Sequence, residues 1–403
     1  MKTTMEDIRI KLRHRLRAKS MQAIACVATA AMVVGVSIDA NAGAREQAKR
    51  IHDRIAGVPP TDAVLTQMET SINNNGGSGV AAASIAMDNS AFYSVTLKNF
   101  ATPWTNRDQT VFAPLNDYTA TVIGMVRDDV PFNTVLSADI VYTGNGISPA
   151  YSTANNDHYA AMEDQNADLK AVLTRQAQSA VSGLPAAATA GVLTTRAAAQ
   201  AFFIAGTNRA MFRFTMINHM CRDMEQVHDT SRPPDRIRQD VSRSPGGDSR
   251  IFLNNCIGCH SGMDPMAQAF AYYNFDSTSG QLLYTANQVQ PKYLINSDNF
   301  KPGFVTPDDQ WENRWRAGPN SLLGWSAALP GKGAGAKSLG DEFGNSNAFA
   351  QCQVEKVFRA VCFRSPSDSA DRTAVDGIVQ HFKTQGYKLK QAFAEAADYC
   401  KGD

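Results

Sequence analysis

Five consecutive residues constrain this chain more than any others: Cys256, Ile257, Gly258, Cys259 and His260, within the segment 254–276. Two thiols separated by two residues and followed at once by an imidazole have the spacing at which both vinyl groups of a haem are captured as thioethers. The histidine then falls under the porphyrin as an axial iron ligand. Competing readings fail on context. A zinc knuckle needs a second ligand pair at similar spacing, and the other cysteines beyond the leader, Cys221, Cys352, Cys362 and Cys400, stand singly. A thioredoxin-like redox pair belongs in a βαβ pattern, whereas turn-rich sequence precedes this motif and helical sequence follows it. The motif occurs once, so the expectation is one covalently bound haem c on Cys256 and Cys259, with His260 as proximal ligand.

The amino terminus reads as an export signal. Arg9, Lys11, Arg13, Arg15, Arg17 and Lys19 form a basic region, Met21 to Ile38 is an apolar Ala/Val-rich run, and Ala40-Asn41-Ala42 offers a small-residue cleavage site before Gly43. The alternative is an uncleaved anchor, since a run of about 18 residues approaches the spanning minimum. Its weak hydrophobicity and the cleavage site favour removal. The expected location is therefore periplasmic or secreted, with membrane attachment only if the leader is retained. An oxidising compartment also suits thioether formation and disulfides. Without residues 1–42 the chain keeps 32 Lys/Arg and 35 Asp/Glu, a formal charge of −3. That balance gives no reason to expect nucleic acid as a partner.

Beyond the leader the patterning is mostly helical. Expected segments are a helical domain at 43–228, the haem segment at 229–285, a Trp-rich loop insertion at 286–345 and a helical domain at 346–403. Helices are expected over 44–55, from a Thr61 or Asp62 cap to about Ile72, over 112–127 with Asn116 or Asp117 near its start, and over 196–228 with a break at Gly206-Thr207-Asn208. His52, among Arg50, Asp53 and Arg54, reads as part of a solvated face. Residues 229–250 form a loop carrying Arg232, Arg236, Arg238, Arg243 and Arg250. Arginine forks suit haem propionates, and Arg250, nearest the motif, is the first candidate. The competing reading is a solvated loop balanced by Asp235, Asp240 and Asp248. Asp264-Pro265 has the N-cap and N1-proline arrangement that starts a helix. The insertion is expected to form loops and short strands, enough for a small sheet. Its run Gly331 to Ser338 has Ala336 where a phosphate loop needs its second glycine, and no strand is expected to lead into it, so no nucleotide site is expected.

The run CIGCHSGMDPMAQAFAYYNFD resembles the haem segment of planctomycete-type monohaem cytochrome c proteins. The matching positions are Cys256, Cys259, His260, Met263, Asp264, Pro265, Ala269, Phe270, Phe275 and Asp276. The stretch FAQCQVEKVFRAVCFRSP and the helix after it, up to Gly386-Tyr387-Lys388-Leu389, are similar to the small helical domain that follows in those proteins. Residues 112–143 and 190–228 are similar more loosely to their preceding helical domains. The resemblance implies an exported, mostly α, monohaem cytochrome c-like module and supplies no substrate.

Cys352 and Cys362 lie on one expected helix about 15 Å apart along its axis, too far to bond each other. Three short alternating helices place the end of the third beside the end of the first, so the expected bonds are Cys362–Cys400 and Cys221–Cys352. The sixth iron position separates the functional classes. No methionine follows Met266, and Met263 and Met266 are too near His260 to reach the opposite haem face. Met216, Met220 and Met224 recur at helical spacing with His219 and His228 nearby, although such a stripe is usually core. Met220 and His219 are the leading distal candidates, and His381 is expected to be exposed. With both axial positions filled the chain is a one-electron carrier serving a redox partner protein in the periplasm or envelope. With the sixth position open it is a haem enzyme or a gas or peroxide sensor. A third reading makes it a haem-bearing interaction module that docks through the Trp-rich insertion.

Overall fold

Apolar residues one helical turn apart set the first element. Ala48, Ile51, His52 and Ile55 lie along one stripe of the helix Ala44–Ala56 and are all buried. His52 is therefore not on the solvated face expected from its charged neighbours. It falls on the apolar stripe, where Nδ1 bonds the Val58 carbonyl at 2.9 Å and burial pushes the imidazole below its ordinary pKa. Thr61 caps the next helix, Asp62–Asn74, by accepting from the Val64 amide. The helix Val80–Met87 and the π-helical turn Phe92–Leu97 follow. The computed structural model describes residues 42–204, 206–294 and 300–402. The expected leader lies outside them apart from Ala42.

The helix Asp117–Arg127 runs through the middle, buried at every position from Asp117 to Val126. It starts five residues later than expected, because Asn116 takes the cap; Phe112 stands outside the helix, 92% exposed. The region 196–228 is more broken than its composition suggests. Asn208 adopts a left-handed conformation and donates its side-chain amide to the Phe270 and Tyr273 carbonyls, each at 2.9 Å, which separates Arg196–Phe202 from Arg209–Thr215. A π-helical turn, Met216–Met220, and a left-handed Cys221 then end the helical run.

Strands are short and paired two by two, all antiparallel: β1 (Val141–Gly144) with β2 (Leu173–Gln176), β3 (Tyr273–Asp276) with β4 (Gln281–Tyr284), and β5 (Gln310–Glu312) with β6 (Lys332–Ala334). The insertion thus contributes the small sheet that was expected. No strand leads into the Gly-rich run 331–338, as expected; inside the run lies β6, which passes directly into the helix Gly335–Gly344. It pairs only with antiparallel β5, so the parallel frame of a phosphate loop is missing around it.

Three helices close the chain: Asn347–Cys362, Ser369–Thr384 and Leu389–Tyr399. Disulfides join Cys362 to Cys400 and Cys221 to Cys352, the expected pairing. Leu389–Tyr399 packs on Val80–Met87 and Ala44–Ala56. Polar contacts reinforce the seam: the Gly79 amide donates to Asp398, and Arg54 and Arg50 donate to the Cys400 and Lys401 carbonyls. Residues Ala44–Lys401 form one compact unit with a main core extending from Ala48 to Ala397. Among the described residues no helix is long and apolar enough to cross a membrane.

Candidate haem-attachment site

The motif sits where a π-helical turn, Phe252–Cys256, passes into the helix Ile257–Ala267. Residues three and four apart share a helix face, so Cys256, Cys259 and His260 project to the same side within about one turn. Both thiols are half-buried and unpaired, whereas the other four cysteines among the described residues are consumed in disulfides. The Cys259 thiol lies 3.5 Å from the Met224 carbonyl, and burial, with the neighbouring Cys256 and acidic residues, pushes its pKa up.

The opposite face of this helix is built for close approach. A Cβ on Gly262 would lie 2.0 Å from the buried Trp315 indole, and one on Gly258 would lie 2.3 Å from the His228 ring. The Asp229 amide donates to the Gly258 carbonyl at 2.9 Å, and Asn320 donates to the Val227 carbonyl at 2.9 Å. Trp325 donates in turn to the Trp315 carbonyl at 3.0 Å. The tryptophan-rich insertion therefore braces the back of the motif helix.

Asp264 does not start a helix. The helix continues through Pro265 to Ala267, and the carboxylate turns instead toward charged groups. His260 Nδ1 lies 3.1 Å from Asp264 Oδ1, while its Nε2 has no hydrogen-bond partner among the described residues. Arg209 forks onto the same carboxylate, Nε to Oδ1 at 2.8 Å and Nη2 to Oδ2 at 3.0 Å, and grips Asp240 with its other edge at 2.5 and 2.9 Å. The Arg238 amide adds a fourth donor to Asp264 at 3.3 Å. Asp264 is fully buried, which alone would raise its pKa. Arg209, the bond from His260 and Arg238 outweigh that and hold it well below the usual carboxylate range. Arg238 is itself buried, with Nη2 on Thr207 Oγ1 at 2.7 Å and its guanidinium over the Tyr293 ring at 4.7 Å.

Arg250, the expected propionate partner, is 81% exposed and paired with its neighbour Asp248. Arg243 stands beside the small apolar cluster of Ile237, Val241, Phe252 and Ile257 on which Cys256 packs, and its guanidinium donates to the Ile237, Arg238 and Val241 carbonyls. That guanidinium lies 4.8 Å from the Phe252 ring and 4.3 Å from Phe300.

The distal candidates are placed elsewhere. His219 is fully buried between Trp104, Tyr118 and Phe349, with Nε2 2.7 Å from the Tyr118 hydroxyl. Burial, then Lys356, pushes its imidazole well below the ordinary pKa and keeps it neutral. Met220 is buried with Sδ 3.4 Å from Ser346 Oγ. Their turn packs on the helix Asn347–Cys362, and none of these contacts involves Cys256, Cys259 or His260. His381 is exposed beside Glu395, as expected.

The donor set fits a haem better than a bare ion. Among the described residues no group of three or more His, Cys, Asp or Glu side chains converges on a metal position. A bare ion needs such a group, whereas a porphyrin provides four of the iron ligands itself and asks the protein for one imidazole and two thiols. Comparison with protein-family models, curated proteins and solved structures finds no match to this chain.

Proposed function

We propose that this chain is an exported monohaem c-type cytochrome that exchanges one electron at a time with a redox partner protein in the periplasm or cell envelope. The observation that carries the proposal is a single helical face bearing two unpaired thiols and a histidine whose Nε2 has no hydrogen-bond partner among the described residues, in a chain whose other described cysteines are all paired. When bound, the haem supplies reversible one-electron iron chemistry. Cys256 and Cys259 would hold the haem through thioethers, and His260 would offer its imidazole to the iron. Asp264 holds the His260 ring by Nδ1, and the buried Trp315 backs the helix from behind. Arg243 replaces Arg250 as the arginine best placed to answer propionate charge.

A second reading, an iron with an open sixth position that binds peroxide or small gases, is favoured by one observation. His219 and Met220 are both committed to core contacts, and either would have to leave them to reach an iron.

The test is expression with a c-type maturation system and export to a periplasm. Haem that stays on the polypeptide through denaturing electrophoresis, and is lost in Cys256→Ser/Cys259→Ser, is the expected result. A chain that matures without covalent haem overturns the proposal. Absorption spectra with carbon monoxide then separate the two readings: a low-spin iron indifferent to it supports electron transfer, and a carbonyl adduct supports the open-site reading.

A further inference from the structure

We infer that Asp264 is a positioning residue for His260 and that Arg209 moderates it, so that this pair sets the reduction potential of the haem iron. The inference rests on the haem reading above and deepens it.

The geometry is that of a carboxylate behind a metal-binding imidazole. Asp264 follows His260 by four residues, one turn along the same helix, which brings Oδ1 to 3.1 Å from Nδ1. A carboxylate there accepts from Nδ1–H, which fixes the tautomer and leaves the Nε2 lone pair pointing away from the protein donor network. Helix capping does not explain the residue, because the helix began seven residues earlier. Surface pairing does not explain it either, because the carboxylate is fully buried and a bond inside a low-dielectric site polarises the ring more strongly than one in water.

Arg209 shares that carboxylate and withdraws charge from it through two hydrogen bonds. Asp240 pulls Arg209 the other way. The result is a chain of four side chains, His260, Asp264, Arg209 and Asp240, in which each link adjusts the next. A stronger acceptor at Nδ1 makes the imidazole a better electron donor and favours ferric iron; a weaker one favours ferrous iron.

The two ends of the link have opposite signs, which makes the idea testable on the full-length, haem-loaded chain. Asp264→Asn keeps an acceptor oxygen but loses its charge; the expected outcome is a higher midpoint potential and an upfield shift of the His260 Nδ1–H proton resonance in the ferrous protein. Arg209→Gln frees the carboxylate for His260; the expected outcome is a lower midpoint and a downfield shift. Should Asp264→Asn not fold, Asp240→Asn concentrates Arg209 on Asp264 and gives the same signs, smaller. If the proton resonance stays put while the potential moves, the residues act only as distant charges and the inference fails. It fails equally if both variants shift the resonance in one direction. Wild-type protein without covalent haem would instead defeat the haem reading itself, so the two failures are distinguishable.

Discussion

The helical core and the motif region share one apolar cluster and differ in what is added to it. The core, built from the helices at 44–87, 117–127 and 347–399, buries Ala, Val, Leu, Ile and Phe and is stapled by two disulfides. The motif region joins the cluster through Met263, Met266 and Trp315 and adds an ionic network: Asp264 and Arg238 are both inaccessible, and Arg209 bridges two carboxylates. Apolar burial is non-directional and tolerates small shifts. A buried ionic network is directional and costly to break, because removing one member strands the others in a low dielectric. The core therefore gives the molecule its stability, and the network gives one helix face its orientation.

The largest expected effect lies in the stapled core. Cys221→Ser with Cys352→Ser opens a cross-link of sequence separation 131, for which chain entropy gives about 5 kcal/mol; urea unfolding under non-reducing conditions measures it. Next comes the network. Asp264→Ala leaves Arg209 and Arg238 with half their partners and is expected to cost about 3–5 kcal/mol. A loss below about 1 kcal/mol would show that packing, not charge, holds the motif region and would erase the contrast drawn above. Smaller again is a pair of glycine tests. Gly262→Ala pushes against the buried Trp315 and should cost about 1–3 kcal/mol, whereas Gly258→Ala meets the exposed His228, which can swing aside, and should cost less.

The last effect is a slope with pH, small over any one pH unit. Burial lowers the Lys292 amine to about 8, with Nζ donating to the Phe203 carbonyl at 2.6 Å. The unfolded chain keeps that proton to about 10.4, so between these values it binds more protons than the folded state, and stability rises with pH. Below the folded value the penalty for charging the buried amine is fully present. Lys292→Met should flatten the slope between pH 8 and 10, read by thermal unfolding across that window.

Local signals were legible and long-range ones were not. The Thr61 and Asn116 caps and the three closing helices follow from spacing and composition, which act over a few residues or one helix length; Cys362–Cys400 follows from those helices, and Cys221–Cys352 is the pair then left over. The Cys256, Cys259 and His260 face was equally plain. Asp264 was misplaced because Asp-Pro is a common helix start; here the proline falls late in a helix already running, and the carboxylate is claimed by Arg209, 55 residues away in sequence. No periodicity announces such a partner. The break at Gly206-Thr207-Asn208 was legible in composition, whereas the one at Cys221 goes with a disulfide to a distant helix, and a single methionine face over 216–224 does not form. One signal was available: residue 264 lies four positions beyond His260, and extending the helix through Pro265 would have paired them.

The seam between Leu389–Tyr399 and the helices at 44–56 and 80–87 has a consequence for biogenesis. A layer that is completed by a helix more than 300 residues later cannot close until nearly the whole chain has been made. The first helices therefore wait on the last one for their apolar partners, and the seam acts as the latch that ends the wait.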